Sequence, residues 1–440
     1  MRLSAQTPLP ASVQAPGYDR AEQAAGIVHI GIGAFHRAHQ AVYTDDAMRA
    51  GDRDWGIIGV SLRSGEVAGQ LNPQDGLYTV ATRSAADSSL RVVGAVQQVL
   101  VASNDPQSVI DAIAAPATHI VSFTVTEKGY LRAADGSLEL AAAKGPSSLY
   151  RFVGAALAAR HKAGLPGLTL LSCDNLANNG AVLRRLMREY LASEHGDLVD
   201  WFDAECRCPA TMIDRIVPAT TDADRAATEA ALGVRDEGAV VTEGFSQWVI
   251  EGDFAGPRPR WEAVGAALVT DVAPYETAKL RMLNGAHSAL AYIGLGRGHE
   301  FVHQAIGDPA IRSLIERLMR DEAAPTIDAA SGQDLPAYAD ALLDRFANPA
   351  LHHRLIQIAM DGSQKIPQRW LETLAWHQQR GARCPSIEAA VDAWIAFLAA
   401  GAHPIDDPLA DQLRAAATGP GPRQALFGPN GLLPSGWTPD

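Results

Sequence analysis

One short stretch near the N-terminus constrains the fold of this chain more than any other feature. The residues Gly26-Ile-Val-His-Ile-Gly-Ile-Gly33 form an apolar run that ends in glycines, and a stretch of helical character follows from about Ala34 to Arg49. A second apolar run, Trp55-Gly-Ile-Ile-Gly-Val-Ser61, comes next. Strand, glycine turn, helix and strand in this order are typical of a βαβ unit. The sequence therefore predicts a parallel sheet in the N-terminal part.

Apolar runs of strand length recur beyond this unit. They cover residues 77–82, 119–126 and 168–173, and an alanine-rich stretch of helical character, 149–163, precedes the last of them. Alternating strands and helices predict a mostly parallel sheet that helices cover on both faces. We therefore predict an α/β fold, with a Rossmann-like dinucleotide-binding domain over residues 1–268.

The pattern changes near Pro274. Beyond this proline, strand-like runs nearly vanish, and alanine- and leucine-rich stretches of helical character dominate. These stretches cover residues 276–292, 310–322, 336–345, 351–360 and 387–399. A chain of 440 residues also exceeds the size of one ordinary core. We therefore predict a second, mainly α-helical domain over residues 269–440.

Charge and composition exclude several classes of protein. The formal net charge is −13, whereas nucleic-acid binding requires a basic surface. No apolar run approaches the roughly 18 residues that span a membrane, and residues 1–15 lack the apolar core of a secretory signal. The four cysteines are few and irregularly spaced, which indicates a reducing compartment. We predict a cytoplasmic protein with neither nucleic acid nor membrane as a partner.

The glycine turn Gly31-Ile-Gly33 indicates a dinucleotide site. Where a strand passes into a helix, glycines let the main chain approach a pyrophosphate, and the helix N-terminus offers N–H groups and a partial positive charge. His36 stands where the usual fingerprint has its third glycine. After the second strand, Glu66 could bind the ribose hydroxyls of NAD, or Arg63 could bind the 2′-phosphate of NADP. These alternatives stay open, as does the alternative that both residues are solvated loop charges.

The stretch Lys279-Leu-Arg-Met-Leu-Asn284-Gly-Ala-His287 carries the residue types that alcohol oxidation needs. At about 100° per residue, Lys279, Asn284 and His287 share an arc of roughly 140° on one face of an α-helix. A base must take the hydroxyl proton while hydride leaves, and a neutral donor must stabilise the alkoxide or carbonyl oxygen. A lysine serves as that base only where burial or neighbouring charge lowers its pKa.

Two alternatives to this catalytic interpretation are open. The first is that Lys279 is a solvated lysine and His287 a structural histidine. The second is that Tyr275-x-x-x-Lys279 is the tyrosine–lysine pair of the short-chain dehydrogenases. In that class the pair lies in the same domain as the cofactor, in a chain of about half this length, whereas here it follows the predicted domain boundary.

Further motifs occur in order along the chain. They are Gly-Ile-Gly-Ala-Phe-His-Arg-Ala-His (31–39), Gln-Asp-Gly-Leu-Tyr-Thr (74–79), Thr-Val-Thr-Glu-Lys-Gly-Tyr (124–130), Ser-Cys-Asp-Asn-Leu (172–176), Asp-Arg-Ile-Val-Pro-Ala-Thr-Thr (214–221) and Gln-Trp-Val-Ile-Glu (247–251). Together with Lys-x4-Asn-x2-His at 279–287, they resemble the motifs of the polyol-specific long-chain dehydrogenases, the mannitol dehydrogenase family. The resemblance runs from about Gly26 to about Pro408.

The resemblance implies roles for the residues of these motifs. Lys279 would be the general base, Asn284 and Asn175 would hold the substrate oxygen, and His287 would position the reacting hydroxyl. The candidate cofactor contacts are Gly31, Ile32, Gly33, Ala34, Phe35, Arg37, Glu66 and Thr126. The cofactor would be NAD, with NADP left open. The family implies no metal, and the Cys206-x-Cys208 pair lacks the further ligands of a zinc site. It also implies a monomer, with a homo-oligomer left open.

The resemblance also bears on the substrate. Asp214 and Arg345 would line the substrate pocket, and the stretches 344–348 and 357–369 look most like the branch that interconverts D-mannonate and D-fructuronate. A hexuronate carries a carboxylate, and arginine and lysine are its natural partners. Candidates are Arg345, Lys365 and Arg369, with the alternative that Lys365 and Arg369 cap or solvate a helix end.

Two other functions compete with this one. An uncharged polyol such as mannitol or arabinitol is the alternative substrate. A dinucleotide-binding sensor without catalysis is the alternative from another class, against which the presence of Lys279, Asn284 and His287 argues.

Overall fold

The computed structural model describes residues 1–83 and 88–439. The chain forms two compact units, Met1–Val272 and Ala273–Asp440. The division that we predicted from the sequence, between residues 268 and 269, lies shortly before the division between the units. The predicted fold class is confirmed: a Rossmann-like unit with a parallel sheet precedes a mainly helical unit.

The strands of the described residues all lie in the first unit. They are β1 Val13–Gln14, β2 Ile27–Ile30, β3 Ile57–Ser61, β4 Tyr78–Arg83, β5 Ser88–Val93, β6 Val96–Val101, β7 Ile120–Phe123, β8 Thr169–Ser172, β9 Thr211–Asp214, β10 Val240–Glu243, β11 Gln247–Glu251 and β12 Ala267–Val269. The α-helices of this unit are α1 Ala34–Ala38, α2 Gln40–Arg49, α3 Glu66–Leu71, α4 Pro106–Ala114, α5 Thr126–Gly129, α6 Leu140–Ala143, α7 Leu149–Lys162, α8 Asn179–Glu194, α9 Val199–Glu205 and α10 Asp222–Leu232.

The central sheet has five strands in the order β6-β3-β2-β7-β8, and every neighbouring pair is parallel. In β2, β7 and β8 every residue is buried, which explains why these strands read as continuous apolar runs. Val28 and Ile30 belong to one hydrophobic cluster, whereas Ile27 belongs to another. Both faces of the sheet are therefore covered.

One predicted strand belongs to a different sheet. The run 77–82 corresponds to β4, which pairs antiparallel with β5 and parallel with β10 in a four-stranded sheet of order β1-β5-β4-β10. A third sheet has the order β12-β11-β9. An apolar run predicts that a strand exists, but it does not tell which strands pair with it.

The second unit is built from helices around one hydrophobic core. Its α-helices are α11 Ala273–Ala278, α12 Gly285–Gly296, α13 Val302–Gly307, α14 Pro309–Arg317, α15 Leu335–Phe346, α16 Leu355–Ile358, α17 Gly362–Ile366, α18 Glu372–Gln378, α19 Pro385–Ala400, α20 Ala410–Thr418 and α21 Pro422–Leu426. Segments of this unit that are π-helical are Lys279–Asn284, Leu318–Ala323 and Pro367–Leu371. Across residues 1–83 and 88–439, no helix has the length and apolar character that a membrane crossing requires.

Candidate active site

The glycine turn lies at the carboxyl end of β2, in the middle of the central sheet. Gly31 has a φ of +98°, and a Cβ added there would come within 2.1 Å of the Thr124 carbonyl oxygen. No other residue fits this position without a backbone shift. A Cβ at Gly33 would instead meet nothing closer than 3.9 Å. The main chain at Gly33 is therefore open to the close approach of a ligand.

The helix that follows the turn begins without a side-chain cap. Gly33 is the N-cap of α1, no side chain bonds to the first turn, and no acidic residue lies in it. The N–H groups of a helix start carry a partial positive charge that suits a phosphate. Ile32 is 2% exposed and packs toward Gly59 of β3, so its side chain belongs to the core. Its contribution to a cofactor site would come from the main chain.

His36 replaces the third glycine by stacking on the sheet. Its ring lies flat on the ring of His29 in β2, with 3.4 Å between the ring centroids. His29 bonds to the hydroxyls of Ser122 and Thr124 at 2.8 and 2.9 Å. Burial lowers the pKa of His29 to about 3 and that of His36 well below its usual range. Both rings are therefore neutral, and the helix approaches the strand through stacked imidazoles instead of through a glycine.

Four other candidate cofactor residues differ in their surroundings. Arg37 is buried, and its guanidinium donates to the carbonyls of Gly33 and Gly238. Glu66 is exposed at the start of α3, after the carboxyl end of β3. The Ala34 and Phe35 side chains are half-buried in α1.

Thr126 has an unusual backbone conformation, which the sequence did not predict. Its φ is +65°, a left-handed value that β-branched residues rarely adopt. The carboxylate of Asp174 holds it there by accepting from the N–H groups of Thr126 and Val125 at 2.8 and 3.1 Å. Asp174 also accepts from the Tyr130 hydroxyl. This buried carboxylate was not predicted as a site residue, although it lies in the motif 172–176.

Asn175 and Asp214 both lie at the carboxyl ends of strands of the first unit. Asn175 is exposed just beyond the carboxyl end of β8, next to Asp174. Asp214 is the last residue of β9 and is 7% exposed. The roles that the resemblance implies for these two residues remain predictions.

The predicted α-helix over the catalytic stretch is π-helical in its first part. Residues Lys279–Asn284 form a π-helix between α11 and α12, and the Gly285 N–H donates to the carbonyl of Leu280, five positions back. Because π-helical hydrogen bonds join residues i and i+5, side chains five positions apart lie on the same side. Lys279 and Asn284 therefore lie on the same side, closer together than the arc of roughly 140° that an α-helix would give.

His287 lies in the first turn of α12, just beyond the π-helix. Its ring packs against Phe346 with 4.8 Å between centroids and meets the His353 ring edge-on at 5.3 Å. Burial lowers the pKa of His287 well below its usual range, and the nearby His353, Arg345 and Arg369 lower it further. The imidazole is therefore neutral near pH 7, with one nitrogen able to donate and the other able to accept a hydrogen bond.

Arg345 and Lys365, two of the candidate carboxylate ligands, have different surroundings. Arg345 is 7% exposed in α15. The Lys365 ammonium donates to the carbonyl oxygens of Met360 and Ile358 at 2.6 and 3.4 Å. This is the helix-end arrangement that the sequence left open as the alternative to substrate binding.

Arg369 also bonds within the unit. Its Nη1 lies 2.8 Å from the Ser288 hydroxyl and 3.3 Å from the carbonyl oxygen of Asn284. Its Nε is buried without a hydrogen-bond partner among the described residues. Burial lowers the pKa of Arg369 to about 10, so the guanidinium stays charged near pH 7.

A Rossmann-like unit with an open glycine turn, joined to a helical unit that carries lysine, asparagine and histidine, defines the class of dinucleotide-dependent dehydrogenases. Residues 25–263 match the family model described as the mannitol dehydrogenase Rossmann domain, and residues 271–425 match that of the mannitol dehydrogenase C-terminal domain. The chain belongs to the mannitol dehydrogenase family. It is thus an oxidoreductase that acts on CH–OH groups, and the short-chain dehydrogenase alternative is wrong.

Individual relatives are similar over most of their length. D-mannonate oxidoreductase of Escherichia coli is 41% identical over 399 residues, which cover 88% of this chain and 82% of that protein. The solved structure of Pseudomonas fluorescens mannitol 2-dehydrogenase, with NAD and D-mannitol, is 37% identical at a TM-score of 0.81 and covers 95% of this chain and 89% of its own. A substrate-free D-sorbitol dehydrogenase structure is 32% identical at a TM-score of 0.91, with 96% and 91% covered.

The described residues contain no metal-binding cluster. No group of three or more His, Cys, Asp or Glu side chains among them is placed to hold a metal ion. Cys173, Cys206, Cys208 and Cys384 are all free thiols.

Proposed function

We propose that this oxidoreductase uses NAD to interconvert D-mannonate and D-fructuronate. The observation that carries the proposal is the arrangement of the helical unit. Lys279 and Asn284 share one side of a π-helix, and a neutral His287 follows in the next helix beside the buried Arg345. A lysine, an amide, an imidazole and a guanidinium therefore lie within one region of one unit, and this supports their assignment as base, neutral donor, hydroxyl ligand and positive charge.

The glycine turn of the first unit fits a dinucleotide. The open main chain at Gly33 and the uncapped start of α1 suit a pyrophosphate. The bound nicotinamide would accept hydride from the alcohol carbon or return it to the ketone carbon. NAD in the structure of the P. fluorescens relative supports the same cofactor here. We favour NAD over NADP because the exposed Glu66 follows the carboxyl end of β3, where a carboxylate would bind ribose hydroxyls.

Each residue of the helical unit then has a defined task. In oxidation, the neutral amine of Lys279 takes the proton of the substrate hydroxyl, and in reduction its ammonium returns that proton. The side-chain amide of Asn284 donates to the oxygen as it becomes a carbonyl or alkoxide oxygen. His287, held by its ring contacts, binds the same hydroxyl and stays uncharged throughout.

Arg345 is our proposed partner for the substrate carboxylate. It is buried, and its positive charge acts on His287. A guanidinium binds a carboxylate through two parallel hydrogen bonds. Lys365 donates to main-chain carbonyls, and its ammonium lacks the paired donors with which a guanidinium binds a carboxylate. The 41% identity with D-mannonate oxidoreductase supports a sugar acid, whereas the likeness to mannitol 2-dehydrogenase supports an uncharged polyol as the second candidate.

The substitution Arg345→Met tests the carboxylate contact. We expect kcat/KM for D-fructuronate to fall by about 10²-fold or more, because an unpaired carboxylate costs about 3 kcal/mol or more. The kcat/KM for D-fructose should change much less. Arg414→Met, which removes an exposed arginine of α20, is the matched control. Equal losses on both substrates would contradict the carboxylate-specific role of Arg345.

A further inference from the structure

Another π-helical segment contacts the junction at which the stretch 279–287 passes from π-helix to α-helix. The segment Pro367–Leu371 packs against that stretch. Two consecutive side chains of this segment donate to two consecutive main-chain oxygens. Arg369 Nη1 lies 3.3 Å from the carbonyl oxygen of Asn284, and Trp370 Nε1 lies 3.1 Å from that of Gly285.

These contacts fall where the geometry of the main chain changes. Asn284 is the last residue of the π-helix and Gly285 the first of α12. Arg369 Nη1 also donates to the hydroxyl of Ser288, one turn further along α12, at 2.8 Å. The two donors therefore span the junction. Because π-helical turns are rare, we expect contacts at the junction to stabilise this one.

We propose that Arg369 and Trp370 are positioning residues for Asn284. They act through the main chain at the junction, and neither binds the substrate. The proposal rests on the proposed function in one respect, because Asn284 is taken as the donor to the reacting oxygen. It goes beyond that function by assigning Arg369, a candidate carboxylate ligand from the sequence, to the support of the catalytic stretch.

The bonding of the two side chains favours this assignment. Nη1 of Arg369 already serves two acceptors, so the guanidinium is fixed in direction. Trp370 is fully buried, and its only polar atom donates to the Gly285 carbonyl. The single donor of this indole is thus already used within the unit, as Nη1 of its neighbour is. Loss of either contact should therefore affect charged and uncharged substrates alike.

Steady-state kinetics of Trp370→Phe and Arg369→Met test the proposal. We expect kcat to fall by about 10- to 100-fold, because a displacement of the donor by about 1 Å costs that much. The factor should be the same for D-fructuronate and D-fructose, with little change in KM. Arg369→Lys should retain part of kcat, since an ammonium can still donate to Ser288. Trp394→Phe, at a buried tryptophan of the same core, and Arg414→Met are matched controls and should behave as the wild type.

Hydrogen–deuterium exchange gives a readout that does not depend on any substrate. Peptides that cover residues 279–288 should exchange faster in Trp370→Phe and Arg369→Met than in the controls, because the junction loses a bond. If the wild type reduces neither ketone, the proposed function fails while the exchange result still decides this inference. If Trp370→Phe does not fold, Arg369→Met and Arg369→Lys carry the test. A rise in KM for D-fructuronate alone with unchanged exchange, or wild-type kcat and exchange in these variants, would overturn it.

Discussion

Lys279 and Asn284 share one side of their helix because of the hydrogen bonding of the main chain, and their spacing alone does not place them so. In an α-helix, residues five positions apart point in clearly different directions. The π-helical turn changes that, and it gives the proposed base and the proposed oxygen donor a common direction. His287 follows with a pKa that burial and neighbouring positive charge lower. The only group of this set that changes charge during our proposed reaction is Lys279.

Replacing Lys279 tests that role. For Lys279→Ala we expect the rate in both directions to fall by about 10²- to 10⁴-fold, which is the usual contribution of general acid–base catalysis. In the wild type, oxidation should speed up as the pH rises and the amine loses its proton, whereas ketone reduction should slow down. Rates are followed by NADH absorbance over a pH series. Lys162→Ala, at an exposed lysine of α7, is the control; a Lys279→Ala variant that keeps more than about a tenth of the rate would contradict the assignment.

The turn between β2 and α1 shows what a sequence pattern captures at the scale of an element. Gly31 and Gly33 predict the turn. Only a glycine fits at position 31, and the main chain at position 33 is open to the approach of a ligand. The absence of the third glycine of the usual dinucleotide fingerprint does not by itself tell how α1 packs on the sheet. What replaces it is a stack between His29 and His36, and that contact joins a strand to a helix. Ring stacking depends on tertiary geometry, so the spacing of residues in the sequence does not reveal it.

The neutral stack makes the first unit sensitive to acid. The pKa of His29 and of His36 is lower in the folded state than the usual 6.5, so the unfolded chain binds more protons below about pH 6.5. The free energy of unfolding therefore has its full value above that pH. It decreases as the pH falls, by about 1.4 kcal/mol per pH unit for each histidine. Melting temperatures from pH 7.5 to 5 measure this. The variant His36→Gln should weaken the pH dependence, whereas His161→Gln, at an exposed site, should not.

The π-helices explain the largest gap between sequence and site. The apolar residues of the catalytic stretch repeat as they would in an α-helix, so periodicity predicts an α-helix there. The π-helical turn depends on partners far along the chain, namely Arg369 and Trp370. Pro367, which lacks an N–H group, begins the π-helix Pro367–Leu371 and favours a shifted hydrogen-bond pattern. Nothing within residues 279–287 encodes these contacts.

At the scale of the whole molecule, the sequence predicted architecture better than pairing. The run 168–173 matches β8, and the run of helices after Pro274 matches the second unit. Buried parallel strands are continuous apolar runs, so they are found easily. Apart from β4, the short strands of the two smaller sheets escaped notice because their partners lie far away in sequence, as with β10, which pairs with β4. Site residues such as Asp174 escaped because a buried carboxylate looks like any other acid in a sequence.

Two arginines lie near His287 although the chain as a whole is acidic. The chain carries a formal net charge of −13, yet the region around His287 contains the charges of Arg345 and Arg369. A local field of opposite sign can attract an anionic substrate to an acidic protein. A carboxylate on the substrate would gain from these positive charges, whereas an uncharged polyol would gain less. The charges near His287 therefore bear most directly on the substrate class in the proposed function.

The most direct test is the oxidation of NADH and of NADPH with four ketones compared in parallel: D-fructuronate, D-tagaturonate, D-fructose and D-xylulose. We expect turnover with NADH in preference to NADPH and a strong preference for D-fructuronate. A preference for D-fructose or D-xylulose would contradict the carboxylate contact and assign the enzyme to uncharged polyols. Binding of NADH without turnover of any ketone would contradict the proposed catalytic roles and favour a dinucleotide-binding sensor.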